Sequence, residues 1–124
     1  MITYDVEEDV NSTMARVKDY PRYVEEIINR YGQYKPAYGD VEVQMIFDRE
    51  NHHYQLLNVG WNKNQRIRGC VLHIDIKGNK IWIQHDGTET GIANELVAMG
   101  VPRQDIVLAF HAPYKRQYTD FAVN

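Results

Sequence analysis

The sequence predicts an α+β domain: a single antiparallel β-sheet, made of a four-strand meander plus a further short strand, packed with an N-terminal and a central helix. Three observations carry this reading. Residues 40–48 alternate apolar and polar with a period of two, the mark of a half-buried strand. Gly78-Asn79 stands between two isoleucine-rich runs, and such a two-residue loop closes a hairpin. Val24, Ile27, Ile28 and Tyr31 recur at helical spacing.

The elements follow in order. Residues 1–12 are acidic without a clear period and are expected to form a loosely held arm. Met14, Val17 and Tyr20 begin the helical pattern, and Pro21 interrupts it. A proline fits the first turn of a helix, where its missing N–H costs nothing. The first helix is therefore expected over 21–31, with Asp19 or Tyr20 near its cap. Gly32 is expected to end it as a left-handed residue. In the first strand Val41, Val43, Met45 and Phe47 form one face, against Glu42, Gln44 and Asp48. Ile46 is the exception on the polar side.

The second strand, 53–61, is apolar on both faces, with Tyr54 and Leu56 on one and Leu57, Val59 and Trp61 on the other. Such a strand belongs in the middle of a sheet or under an oligomer interface. A turn at 62–65 leads to a third strand, 66–77. Its apolar set changes phase between Ile67 and Leu72, which one inserted residue would repair; Gly69 is the expected bulge. Pairing outward from Gly78-Asn79 sets Asp75 opposite Trp82, Ile74 opposite Ile83 and His73 opposite Gln84. Ile74, Ile76, Ile81 and Ile83, with Leu72, then form a buried face, leaving His73, Asp75, Trp82 and Gln84 on the other. A second helix over 88–99 buries Ile92, Ala93, Leu96, Val97 and Met99. Asp86 or Thr88 would cap it, and if Asp86 does, Glu89 stands where a reciprocal cap belongs. Gly100 and Pro102 stop it. Residues 105–110 read as a short buried strand broken by Pro113, and 118–123 as one more extended segment.

Composition narrows the function. The 124 residues fit one domain over 1–124, and 44% hydrophobic content is enough for one core. The net charge of −3 lacks the basic excess of a protein that lives on bare DNA. Charge is uneven, a local −4 over residues 1–10 and a local +4 over 61–80, the latter from Lys63, Arg66, Arg68, Lys77 and Lys80 against Asp75. Cys70 is the only cysteine, so no internal disulfide forms, which suits a reducing compartment. The N-terminus does not read as a signal peptide and no apolar run approaches a membrane span. A cytoplasmic protein with no membrane association is expected.

Candidate chemistry is sparse. His52 and His53, beside Asp48 and Glu50, read as a polar turn, since neighbouring strand residues point to opposite faces. His73 and Asp75 share a face, where a carboxylate could orient an imidazole, but no third member of a catalytic set is evident. His85-Asp86-Gly87-Thr88 reads as a helix cap in preference to an anion site. Cys70 reads as an inert core residue. No phosphate-binding loop, dinucleotide fingerprint, zinc-protease motif or helix-turn-helix signature occurs. No catalytic, cofactor-binding or metal-binding residue is assigned, and no cofactor is expected.

Several blocks are similar to the XisI-like family, the fdxN-element excision controlling factors: Tyr38 to Asp48, Asn58-Val59-Gly60-Trp61, Cys70 to Lys77, and Lys80 to Gln84 running into Asp86-Gly87-Thr88-Glu89. Gly91-Ile92-Ala93, Gly100-Val101-Pro102, Asp105 to Leu108 and Arg116 to Val123 continue the match. The resemblance covers about residues 20–124. It departs at the acidic front, at Pro21 and at His85. It implies a role in controlling site-specific excision of a DNA element, alongside a recombinase and a companion XisH-like protein, with the catalysis belonging to others. It supplies no catalytic residue or ligand. Two classes of function follow: a non-enzymatic regulator acting through a XisH-like partner, with the chain itself a homo-oligomer such as a dimer, or a module binding nucleic acid or a small ligand through the basic 61–80 segment and the Trp82 face. The expected partner surface is His73, Asp75, Trp82 and Gln84, with Trp61 or Tyr54 adding from the neighbouring strand.

Overall fold

The computed structural model describes residues 17–124. The expected acidic arm and Met14 lie outside the described residues. A single 3-10 turn, Val17–Asp19, leads into helix α1, Tyr20–Tyr31, with Pro21 in its first turn. Strands β1 (Asp40–Asp48), β2 (His53–Asn62), β3 (Gln65–Lys77) and β4 (Lys80–Asp86) form an antiparallel meander. Helix α2, Ile92–Ala98, crosses back to β5, Ile106–Leu108, which pairs with β4 in parallel. The sheet order is β1-β2-β3-β4-β5. The fifth strand is thus the one departure from an all-antiparallel sheet. A helix between two strands reverses the chain, and the returning strand runs parallel to the first.

The core lies between one sheet face and the two helices. Tyr20, Val24, Ile27 and Ile28 of α1 and Ile92 and Leu96 of α2 pack with Tyr54, Leu56, Leu72, Ile74, Ile81, Ile83 and Ile106. Ile74, Ile81 and Ile83 are fully buried as expected, but Ile76 is only half-buried, since it stands next to the turn at the tip of the hairpin. Glu95 joins the helices, accepting from Tyr31 Oη at 2.5 Å and Arg30 Nη1 at 2.6 Å.

Several local expectations change. Gly32 is right-handed (φ −68°). A Cβ there would stand 2.8 Å from Met45 Sδ and 3.0 Å from the Ile28 carbonyl, so close approach, not dihedral freedom, suits glycine. The β3 bulge falls at Val71, not Gly69: Leu56 faces Leu72, Leu57 faces Cys70, and Val71 has no partner. The freed Val71 carbonyl accepts the Gly87 N–H at 2.8 Å, which ties the loop before α2 to the sheet. A second shift leaves Gln84 unpaired and sets His73 opposite His85. Helix α2 begins four residues later than expected, because Asp86 organises the loop first. Its Oδ1 accepts from the N–H and hydroxyl of Thr88, and its Oδ2 from the Ile92 N–H. Gly91, not Asp86 or Thr88, occupies the N-cap position; Asp86 serves the helix from outside it, through the Ile92 N–H, and Glu89 takes no reciprocal part. Residues 113–118 wind into a 3-10 turn, and the extended tail reduces to a bridge between Ala122 and Val107.

Candidate partner-binding face

The sheet has a second face, turned away from both helices. Register fixes its rows across β1, β2 and β3: Asp40–Trp61–Arg66, Glu42–Val59–Arg68, Gln44–Leu57–Cys70, Ile46–Gln55–His73 and Asp48–His53–Asp75. Across β3 and β4, Asp75 stands beside Trp82. The Val71 bulge makes this possible: it brings even-numbered Arg66, Arg68 and Cys70 onto the same face as odd-numbered His73 and Asp75.

Asp75 is the centre of one corner. Its Oδ1 accepts from His53 Nδ1 at 2.8 Å and from His73 Nε2 at 3.0 Å, and its Oδ2 accepts from Gln84 Nε2 at 3.1 Å. A carboxylate offers only acceptors, so both imidazoles turn an N–H towards it. His73, Asp75 and Gln84 are therefore brought together as the sequence suggested, and His53 joins them from the start of β2. The signal for His53 was its position: it is the first residue of the strand beside Asp75, not part of a loop. His52 turns away at φ +59°, with Nδ1 3.0 Å from the Tyr54 hydroxyl. Tyr54 belongs to the core face and contributes nothing to the second face.

Trp82 is half-buried beside this network. Its indole N–H donates to the Lys77 carbonyl at 3.3 Å, and Lys77 Nζ lies 4.0 Å from the ring centroid. The C-terminal segment reaches the same ring: the Arg116 guanidinium is 5.7 Å from its centroid. Arg116 holds that segment by donating to the carbonyls of Ala109, His111 and Val123. Sequence reasoning missed this clamp. An arginine in an irregular segment has no periodic neighbour to reveal its targets.

Chemically, the corner is a hydrogen-bonded polar network. Cys70 is exposed, contrary to the expectation of a core residue. Its thiol donates to the Leu72 carbonyl, and partial burial pushes its pKa up, the opposite of the shift that activates a cysteine nucleophile. No cluster of His, Cys, Asp and Glu able to hold a metal ion occurs among the described residues. Asp48 is held below the usual carboxylate range by the backbone and side-chain donors of Asn51. A cleft of about 470 Å³ opens on the opposite side of the sheet, lined by Tyr31, Tyr34, Val43, Leu56 and Val71 with Thr88 at its rim. Its lining is scattered through the sequence, so no local pattern marks it.

With this geometry in place, the relatives become informative. Residues 14–123 match the family model described as XisI protein. The chain belongs to the XisI family. Among solved structures, a XisI-like protein from Anabaena variabilis is 50% identical, with a TM-score of 0.83, over 88% of this chain and 100% of that one. The fdxN element excision controlling factor XisI from the same organism is 33% identical, with a TM-score of 0.77, over 87% of this chain and 98% of that one. A comparison with curated proteins finds no match. The XisI match leaves residues 1–13 aside, in keeping with a resemblance that departs at the acidic front. No helix among the described residues is long and apolar enough to cross a membrane.

Proposed function

We propose that the protein is a non-enzymatic controlling factor for site-specific excision of a DNA element, acting in the cytoplasm through a protein partner of the XisH-like kind. The observation that carries this reading is the 33% identity to a structure of an fdxN element excision controlling factor over nearly its whole length. The partner surface is the corner where His73, Asp75, Gln84 and Trp82 meet. A rigid sheet carrying a tryptophan and paired polar groups suits an interface, since tryptophan is enriched among binding hot spots. The same network is compatible with a non-enzymatic reading, because both oxygens of Asp75 are taken up in holding His53, His73 and Gln84.

Direct DNA binding is the weaker alternative. Four of the five bases of 61–80 fall into two groups, Arg66 and Arg68 near Trp61 and Lys77 and Lys80 near Trp82, with Lys63 in the turn between β2 and β3, and Asp40 and Glu42 share rows with the first group. Divided charge with acidic neighbours makes a poor phosphate track.

The test is capture of a XisH-like companion protein. Wild-type protein is expected to retain it, and His73→Ala and Trp82→Ala, each confirmed as folded, are expected to lose it. A wild-type chain that retains no companion overturns the partner. Metal-dependent turnover of DNA abolished by His73→Ala overturns the non-enzymatic reading. Titration with duplex DNA at physiological salt is expected to show no binding, and tight, salt-sensitive binding would favour the alternative.

A further inference from the structure

The end of the second sheet face furthest from Asp75 carries a charge pattern with a symmetry of its own. Asp40 and Glu42 stand on β1, Trp61 and Val59 on β2, and Arg66 and Arg68 on β3, in two matching rows. Each row reads acid, apolar, base. Trp61 is 51% exposed, and Ile46 on the same face is 46% exposed. Asp40, Glu42, Arg66 and Arg68 are all exposed, and none makes an ion pair among the described residues. Lys35 lies near the two carboxylates at the β1 edge without pairing. Trp61 is already braced, with the Arg66 guanidinium 5.3 Å from its ring centroid and Arg66 Nη1 donating to the Gly60 carbonyl.

We propose that this end of the face is closed by a second copy of the chain, about a two-fold axis running parallel to β2. A two-fold contact requires a self-complementary surface. Rotation about an axis along the central strand exchanges left and right but preserves position along the strands. Asp40 then faces Arg66 of the second copy, Glu42 faces its Arg68, and Trp61, Val59 and Leu57 meet their own counterparts. An axis across the strands would place acid on acid and base on base. Charge alone therefore selects one orientation, as complementary potentials do at interfaces generally.

The rest of the fold is compatible with this contact. The C-terminal segment covers the face only beside β4 and β5, through Arg116 at Trp82 and Ala122 at Val107. Among the described residues nothing lies over this face of β1, β2 and β3, with β2 at their centre. At the other end of the face the same axis would set Asp48 over Asp75 of the second copy. Each sheet twists along its strands, so two faces in contact near Trp61 diverge towards Asp75 and leave that corner to another partner. The dimer accounts for the doubly apolar β2 by burying its second side. It stands independently of the proposed excision role.

Sedimentation equilibrium of the wild-type chain tests it first. A dimer is expected, weakened by salt; a monomer at all accessible concentrations overturns the proposal. Two variants then test the orientation: Asp40→Arg with Glu42→Arg, and Arg66→Glu with Arg68→Glu. Each alone is expected to dissociate at least about tenfold more readily than wild type. Mixed together, they are expected to restore a heterodimer, because each supplies the charge that the other now needs. These side chains are exposed, and circular dichroism verifies folding. Should either variant fail to fold, a thiol crosslinker on Val59→Cys in a Cys70→Ser background gives the second reading, since Val59 lies on the axis. Dimers that persist unchanged in the variants, a mixture that stays monomeric, or absent crosslinking would each overturn the axis.

Discussion

Individual side chains divide cleanly into those that hold the core and those that decorate its far side. Ile74 is fully buried and Ile76 half-buried on the same strand face. Ile74→Ala is therefore expected to cost about 2–5 kcal/mol, and Ile76→Ala clearly less, as read from urea unfolding midpoints. Tyr20 offers a pH signature. Burial first, and then its bond to Asp105 at 2.5 Å, raise the phenol well above its ordinary range. A phenol with a raised folded-state pKa stays protonated in the folded chain while the unfolded chain ionises. Its contribution to stability is thus complete below about pH 10 and is lost as pH climbs from there towards the folded-state value. Stability measured from pH 8 to 11 is expected to hold and then fall, and Tyr20→Phe to make that fall shallower. Tyr31 and Tyr54 are also raised, by the bond to Glu95 and by burial respectively, so part of the fall remains in the variant.

At the scale of elements, glycines show where strands approach and where they do not. A Cβ on Gly60 would stand 2.1 Å from the Asp40 carbonyl and 2.8 Å from Val41 Cα. Backbone cannot yield that much without unpairing β1 from β2. Gly69, the expected bulge, meets nothing within 4 Å and has no positive φ. Gly60→Ala is expected to lower the thermal midpoint sharply. Gly69→Ala should be neutral or stabilising by up to about 1 kcal/mol, through reduced freedom in the unfolded chain. Equal effects of the two substitutions would contradict the register. The bulge at Val71 was legible only as a change of phase. Its exact residue depends on Gly87, sixteen positions on, which takes the freed carbonyl.

For the whole molecule, the C-terminal segment is the piece whose place matters most. It seals the β4–β5 side of the second face and flanks Trp82. Arg116→Ala removes its donors to three carbonyls, and residues beyond Ala109 are expected to become sensitive to limited proteolysis while the core melts nearly as before. If the partner surface includes Trp82, the same variant should weaken capture of the companion protein without touching any residue of the Asp75 network.

What repeats locally was legible along the chain: the hairpin at Gly78-Asn79, the helix beginning around Pro21, the strand at 40–48 and the buried side of most residues. These depend on turn chemistry and on periods of two and 3.6, which neighbouring residues carry in full. The family also was visible, because its blocks are contiguous and ordered along the chain. Tertiary structure alone decided the direction of β5, the start of α2, the partner of His73 and the neighbours of Trp82. β5 takes its direction from the helix that carries the chain back to β4, and the other three depend on a remote group: Asp86 reaching Ile92, Gln84 leaving the ladder to reach Asp75, Arg116 folding back over the sheet. Periodicity records which side of an element faces inward. It carries no record of which remote donor meets which acceptor, and the character of the second face is made from those meetings.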